Sequence, residues 1–175
     1  MLATTLLGLG AFIAAVLLYA AARPKTFLLQ RSVMISAPPD RIFALINDLQ
    51  CFNRWNPFAR EDPEQKLQYE AITQGNGAAY TWSGPKSGAG RMQVTESVPP
   101  QRVAMDLHFT KPMEANNKVV FSLKPEGAVT QVTWEMSGGM PYAHRLMTMF
   151  FSMEKMVGSQ FEQGLASLKA LSEAP

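Results

Sequence analysis

The chain has 175 residues, 47% of them hydrophobic, which is enough for one domain with a buried core. Sixteen basic against fourteen acidic residues leave a charge of only +2, with no basic stripe interleaved with aromatics, so a nucleic-acid partner is not expected. The single cysteine, Cys51, excludes an internal disulfide and a thiolate metal cluster; without Cys/His metal spacing or a Gly-rich phosphate loop, neither a metal nor a cofactor is expected.

From Leu2 to Ala22 the sequence LATTLLGLGAFIAAVLLYAAA runs 21 residues without a charge. As a helix rising about 1.5 Å per residue it would extend roughly 30 Å, the thickness of a bilayer's hydrocarbon core. Tyr19 stands near one end, where interfacial aromatics belong, and Arg23, Lys25 and Arg31 follow. A secretory signal competes with this reading, because Ala20-Ala21-Ala22 imitates a cleavage site. No Lys or Arg precedes the apolar run, however, and the run is longer than a usual signal core. The expectation is a single-pass transmembrane anchor over residues 1–25, membrane localisation, and a domain at residues 26–172 placed in the cytoplasm by the positive charge beside the anchor.

After Pro24 the hydrophobic period changes. Thr26–Ser36 reads as a strand, and APPDRIFALINDL then sets two prolines at the start of a short helix whose inner face is Ile42, Phe43, Ile46 and Leu49. CFNRWNPFAREDP reads as a loop carrying Phe52, Trp55 and Phe58. Six further strands are predicted at Lys66–Thr73, Ala78–Ser83, Gly90–Ser97, Arg102–Lys111, Ala115–Lys124 and Thr130–Ser137, separated by Gly, Pro and Asn. Pro141 then opens a long amphipathic helix to about Leu171, with Leu146, Phe150, Met153, Val157, Phe161, Leu165 and Leu168 along its inner stripe. Strand, helix, a run of antiparallel strands and one long helix make an α+β plan.

Alternation sorts the strand faces. Tyr69, Tyr80, Trp82, Met92, Met105, Phe109, Phe121, Trp134 and Met136 share one face, and Glu70, Arg91, Gln93, Asp106, His108, Lys118 and Thr133 the other, as in a sheet with one side in water. Seven strands spaced about 4.8 Å apart form a face roughly 30 Å wide. One helix is only about 10 Å across, so the sheet must curl around it, and space remains between them. Large rings can simply fill that space; amphipathic rings and pliable methionines suit a ligand cavity better than a tight core. The ligand-binding residues expected on this basis are Trp55, Tyr69, Tyr80, Trp82, Met92, Met105, Phe109, Asn117, Phe121, Trp134, Met136, Phe150, Met153 and Val157.

The order of elements resembles the helix-grip fold of the START/Bet v 1-like superfamily, also called SRPBCC. Within it the chain is most similar to the bacterial polyketide cyclase/dehydrase-type members. The resemblance is carried by ISAPPDRIFALINDLQCFNRWNPF, AAYTWSG and SGAGRMQVTESVPPQRV, then by LHFTKPMEANNKVVFSLKPEGAVTQVTWEMSG and MEKMVGSQFEQGLASLK. It covers about Thr26 to Ser172 and implies a curved seven-stranded antiparallel sheet wrapped around a long C-terminal helix. It also implies a hydrophobic small molecule or lipid as partner, in a superfamily that includes enzymes, carriers and regulators. The apolar N-terminal segment departs from the minimal domain.

Catalysis would need polar groups aimed into the cavity. His108 falls on the water face, and His144, in the first turn of the long helix, has no evident partner. Glu96 shares the parity of Met92 and Val94 and is the carboxylate candidate for pointing inward, although it sits at a strand end before Pro99-Pro100. Tyr69 and Tyr80 could polarise a ligand carbonyl, and Asn117 could supply an inward hydrogen bond. No Ser/His/Asp, Cys/His or paired-carboxylate arrangement can be placed on one face. Binding of a hydrophobic molecule by a membrane-tethered domain is therefore the expected function; a cyclase- or dehydrase-like enzyme, or a regulatory domain with a filled core, are the alternatives. Protein partners cannot be read from the sequence.

Overall fold

The computed structural model describes residues 2–147 and 153–174. Helix α1 (Leu2–Ala22) precedes β1 (Thr26–Ile35), and three short helices follow, α2 (Pro39–Asn47), α3 (Leu49–Trp55) and α4 (Pro57–Arg60). Then come β2 (Lys66–Tyr69), β3 (Ala79–Gly84), β4 (Gly88–Val98), β5 (Arg102–Lys111), β6 (Ala115–Glu126) and β7 (Val129–Gly139), and finally α5 (Tyr142–Met147) and α6 (Met153–Glu173). The strands form one sheet in the order β1-β7-β6-β5-β4-β3-β2, every neighbouring pair antiparallel. Consecutive strands from β2 onward are neighbours, and only β1 closes onto the far edge, against β7. The fold is α+β, a curved seven-stranded sheet with a C-terminal helix, as the alternation of the strands implies.

Strand β2 ends at Tyr69, short of the expected Thr73, and one expected loop is helical. The stretch from Leu49 to Arg60 is helical rather than a loop, because each short helix carries its own start signal. The Asp48 side chain accepts from the backbone N–H groups of Gln50 and Cys51, and Asn56 caps α4 by accepting from the Phe58 N–H ahead of Pro57. At the C-terminal end the helical segment is seen as α5 and α6, with residues 148–152 between them outside the described residues. Phe150 therefore lies outside the described residues, and the side chains of His144 and Met153 are likewise not among those described.

The N-terminal expectation is corrected. Among the described residues, no helix is long and apolar enough to cross a membrane, so the single-pass anchor and the membrane localisation drawn from it do not stand, nor does the cytoplasmic placement that rested on them. A charge-free run is a weak criterion by itself, because it ignores what the helix touches. Here the end of α1 is attached to the rest of the chain. Ala20 is fully buried, the Tyr142 hydroxyl donates to the Leu17 carbonyl at 3.0 Å, and Arg145 donates to the carbonyls of Ala21 and Arg23 at 2.9 and 3.2 Å. Arg145 thus satisfies the Ala21 carbonyl, one of those a helix C-terminus leaves free.

Helix α6 crosses the concave side of the sheet nearest its β1 edge. Arg31 on β1 bonds Glu162 at 2.8 Å and approaches Glu154 at 3.6 Å, and Lys169 donates to the Met34 carbonyl at 2.6 Å. The Arg31 guanidinium passes directly over Gly158, where a Cβ would lie 2.5 Å from its Nη2. Further along α6, Phe161 stacks on Trp134 with ring centroids 4.0 Å apart and planes 10° off parallel. Trp55 stands edge-on to the Trp134 ring at 5.7 Å and donates its Nε1–H to the Leu45 carbonyl at 3.0 Å. One end of the interior is thus filled with interlocking rings, while the part beneath β3, β4 and β5 is not covered by α6.

Candidate ligand cavity

That uncovered part is a cavity of about 740 Å³. Strands β3 to β7 form its wall, Val157 and Phe161 of α6 border it, and the α3–α4 segment closes over it with Phe52, Asn56, Phe58 and Ala59. The volume falls within the usual range for small-molecule sites, and the lining is mostly aromatic and aliphatic. A second, more open depression of about 620 Å³ lies on the opposite face of the sheet, against Asp106, His108 and Lys118. It belongs to the polar water face, where His108 is engaged with Asn116 at 2.6 Å.

Eight of the expected ligand-binding residues line the cavity: Tyr80, Trp82, Met92, Phe109, Asn117, Trp134, Met136 and Val157. Trp82 is held by a bond from its Nε1–H to the Ser87 carbonyl at 3.2 Å, and its ring lies over Gly90, where a Cβ would approach to 2.4 Å. Four others lie elsewhere. Trp55, Met105 and Phe121 are fully buried away from the cavity, and Tyr69 sits behind Tyr80, with its hydroxyl accepting from Asn53 at 3.2 Å. Parity places a side chain on a face but not along the strand, so residues beneath α2 and α3, as Phe121 is beneath Phe52 and Trp55, became core.

Glu96 faces the other way from its expectation. The β4–β5 ladder slips between Val94 and Glu96, and the Glu96 carboxylate bonds Arg102 at 3.2 Å with both side chains over 40% exposed. An extra residue in one strand inverts the alternation after it. Glu96 is not a cavity acid.

Tyr80 and Asn117 border the cavity as expected, whereas Asn56, Glu61, Asp62, Lys86 and Ser87 were missed, because they stand on the segments between the strands and helices. Burial pushes the Tyr80 phenol well above its ordinary range, against the opposing effect of side-chain hydrogen bonds from Asn53 and Asn56. It therefore stays protonated at neutral pH, with a proton to donate and no capacity to act as a base. Asp62, only 2% exposed, is held below the usual carboxylate range chiefly by the Ser87 backbone N–H, with the Lys86 N–H and the Ser87 hydroxyl adding to it against burial. Glu61 accepts from the Gln160 amide, and the exposed Lys86 side chain completes the charged border. Two buried polar atoms on cavity-lining residues, Trp134 Nε1 and Asp62 Oδ1, have no hydrogen-bond partner among the described residues.

The fold has counterparts among solved structures. A Chromobacterium violaceum protein superposes with a TM-score of 0.60 at 19% identity, over 87% of this chain and 100% of its own. A Mesorhizobium loti protein gives 0.58 at 19% identity, over 83% and 95%. DynU16, a protein in the dynemicin biosynthetic locus, gives 0.58 at 15% identity, over 82% of this chain and 46% of its own. At these identities the likeness establishes the fold alone. No curated protein matches the sequence. The family model described as polyketide cyclase/dehydrase and lipid transport matches residues 26–173, nearly all of the chain after α1, and so this chain belongs to that family.

Proposed function

We propose that the protein binds a hydrophobic small molecule in the cavity between the sheet, the α3–α4 segment and α6. The observation that supports this most is the cavity of about 740 Å³ bordered by Trp82, Met92, Phe109, Trp134 and Met136, in an interior whose other end is closely packed. Empty apolar space of that size forfeits contacts that a tight core would make, and a ligand restores them. Family membership agrees with such a role, since the family description includes lipid transport beside cyclase and dehydrase chemistry.

The cyclase- or dehydrase-like alternative rests on Tyr80, a protonated phenol on the cavity wall beside Asn53 and Asn56. A donor of this kind orients a ligand carbonyl as readily as it assists a reaction, so Tyr80 alone does not require catalysis. Binding is therefore the better supported reading.

Native mass spectrometry of gently purified full-length protein, followed by titration with lipids, quinones and polyketides, tests it. A bound ligand is expected to change tryptophan fluorescence and raise Tm, by about 2.7 kcal/mol of stabilisation at a hundredfold excess over Kd. Trp82→Ala should weaken binding at least fivefold, about 1 kcal/mol, while Gln93→Ala on the outer face leaves Kd unchanged. No retained molecule and no shift with any compound would remove the proposal.

A further inference from the structure

We propose that the cavity selects ligands bearing a neutral carbonyl or hydroxyl group, received by the side-chain amide of Asn117, over plain hydrocarbons. This rests on the binding role proposed above and names the class of ligand.

Asn117 stands within β6, where asparagine is a disfavoured residue, and borders the cavity. A glycine shows which way its side chain lies. Gly138 is its partner across the β6–β7 ladder, and residues directly opposite each other project to the same side of a sheet. A Cβ at Gly138 would collide with Asn117 Oδ1 and lie 3.0 Å from both Asn117 Cγ and Phe27 Cε1. The bare strand there gives the amide room to lie across β7 on the cavity side, beside the Phe27 ring.

The amide is also open. It makes no hydrogen bond to another described residue. Asn117 is part-exposed, and, unlike Trp134 Nε1, neither of its amide atoms is sealed off from the space around it. Around it the wall is apolar, with Leu107, Phe109, Val119, Trp134 and Met136 bordering the same cavity. A side-chain amide both donates and accepts. A hydrocarbon displacing the water from it would leave those groups unpaired, whereas a carbonyl or hydroxyl exchanges one hydrogen bond for another. An ionised end would have to shed its hydration against an uncharged partner, which costs more.

Strand register places the rest of the ligand. Asn117 is opposite Leu107, Leu107 opposite Met92, and Met92 opposite Tyr80, one row across four strands with every member bordering the cavity. A ligand held at Asn117 lays its apolar body on Leu107 and Met92.

Three probes on one skeleton test this with the full chain at neutral pH: naphthalene, 2-naphthol and 2-acetonaphthone, their Kd values measured by calorimetry and equilibrium dialysis. In Asn117→Leu the preference for at least one polar probe over naphthalene should fall at least about fivefold, while naphthalene binds as well as before or better. Gly138→Ala keeps the amide but forces it aside, and the same loss is expected; it decides if Asn117→Leu fails to fold. A preference for both polar probes that stays within about twofold of the unaltered chain's overturns the inference while leaving the cavity a binding site. Should neither variant fold, the unaltered chain decides, and naphthalene binding more tightly than both polar probes overturns it. If none of the three binds, and no lipid, quinone or polyketide does, the binding role itself falls and the inference with it.

Discussion

At Val94 the pairing between β4 and β5 changes step: Val94 faces Met105 across the ladder, but Glu96 faces Ala104. That single slip separates an inward acid from an outward ion pair, and it makes a prediction. Glu96→Gln should leave ligand binding unchanged and lower stability by no more than about 0.5 kcal/mol in urea denaturation, because an exposed pair contributes little. A large loss of affinity would return Glu96 to the cavity. The carboxylates that matter to stability are others. Asp62, held chiefly by the Ser87 N–H, Glu70, by the Arg91 side chain, and Glu173, by the Ser36 N–H, all lie below their ordinary values in the folded state. The unfolded chain therefore takes up protons first as pH falls, and stability drops with it. Tm should be level near neutrality and fall steadily below about pH 4.5, through the window between the unfolded and the depressed folded values. A flat Tm down to pH 3 would contradict these assignments.

Helix α6 meets the sheet through a glycine. A Cβ on Gly164 would stand 2.7 Å from Trp134 Cζ3 and 2.9 Å from Pro57 Cδ. The Trp134 ring is held between Phe161 and Trp55 and has no room to retreat. Gly164→Ala sets a helix-propensity gain of about 1 kcal/mol against an overpacking cost of about 1–3 kcal/mol. The expected result is a net destabilisation of up to about 2 kcal/mol in denaturant titration, with a smaller tryptophan response to ligand as α6 lifts. A stabilised variant would show that the ring stack yields.

Across the whole molecule, α1 and the sheet domain are joined through the buried Ala20 and the bonds from Tyr142 and Arg145. No described α1 residue borders the cavity. Removing residues 1–22 should therefore lower Tm, since α5 loses carbonyl partners, yet leave the circular dichroism of the sheet and the Kd of any ligand unchanged. An unfolded product would make α1 part of the folding core rather than an attached element.

Strand number, the water-facing side of the sheet and the inward set of Tyr80, Trp82, Met92 and Trp134 were legible in the sequence, because side chains on a strand alternate with a fixed period of two. The need for a cavity followed from widths alone, a sheet of seven strands against one helix. What period and width cannot supply is distance. Trp134 and Phe121 have the same parity, yet one borders the cavity and the other is core, and only the packing of α2 and α3 over the sheet, with Phe52 and Trp55 against Phe121, separates them. A bulge reversed Glu96, and contact with α5 drew the end of α1 against the domain; neither leaves a periodic trace. Asp62 was the least legible, in a stretch that reads as an acidic loop, EDP. Its role depends on a turn 24 residues later folding back to meet it, which a chain position cannot show and a tertiary contact does.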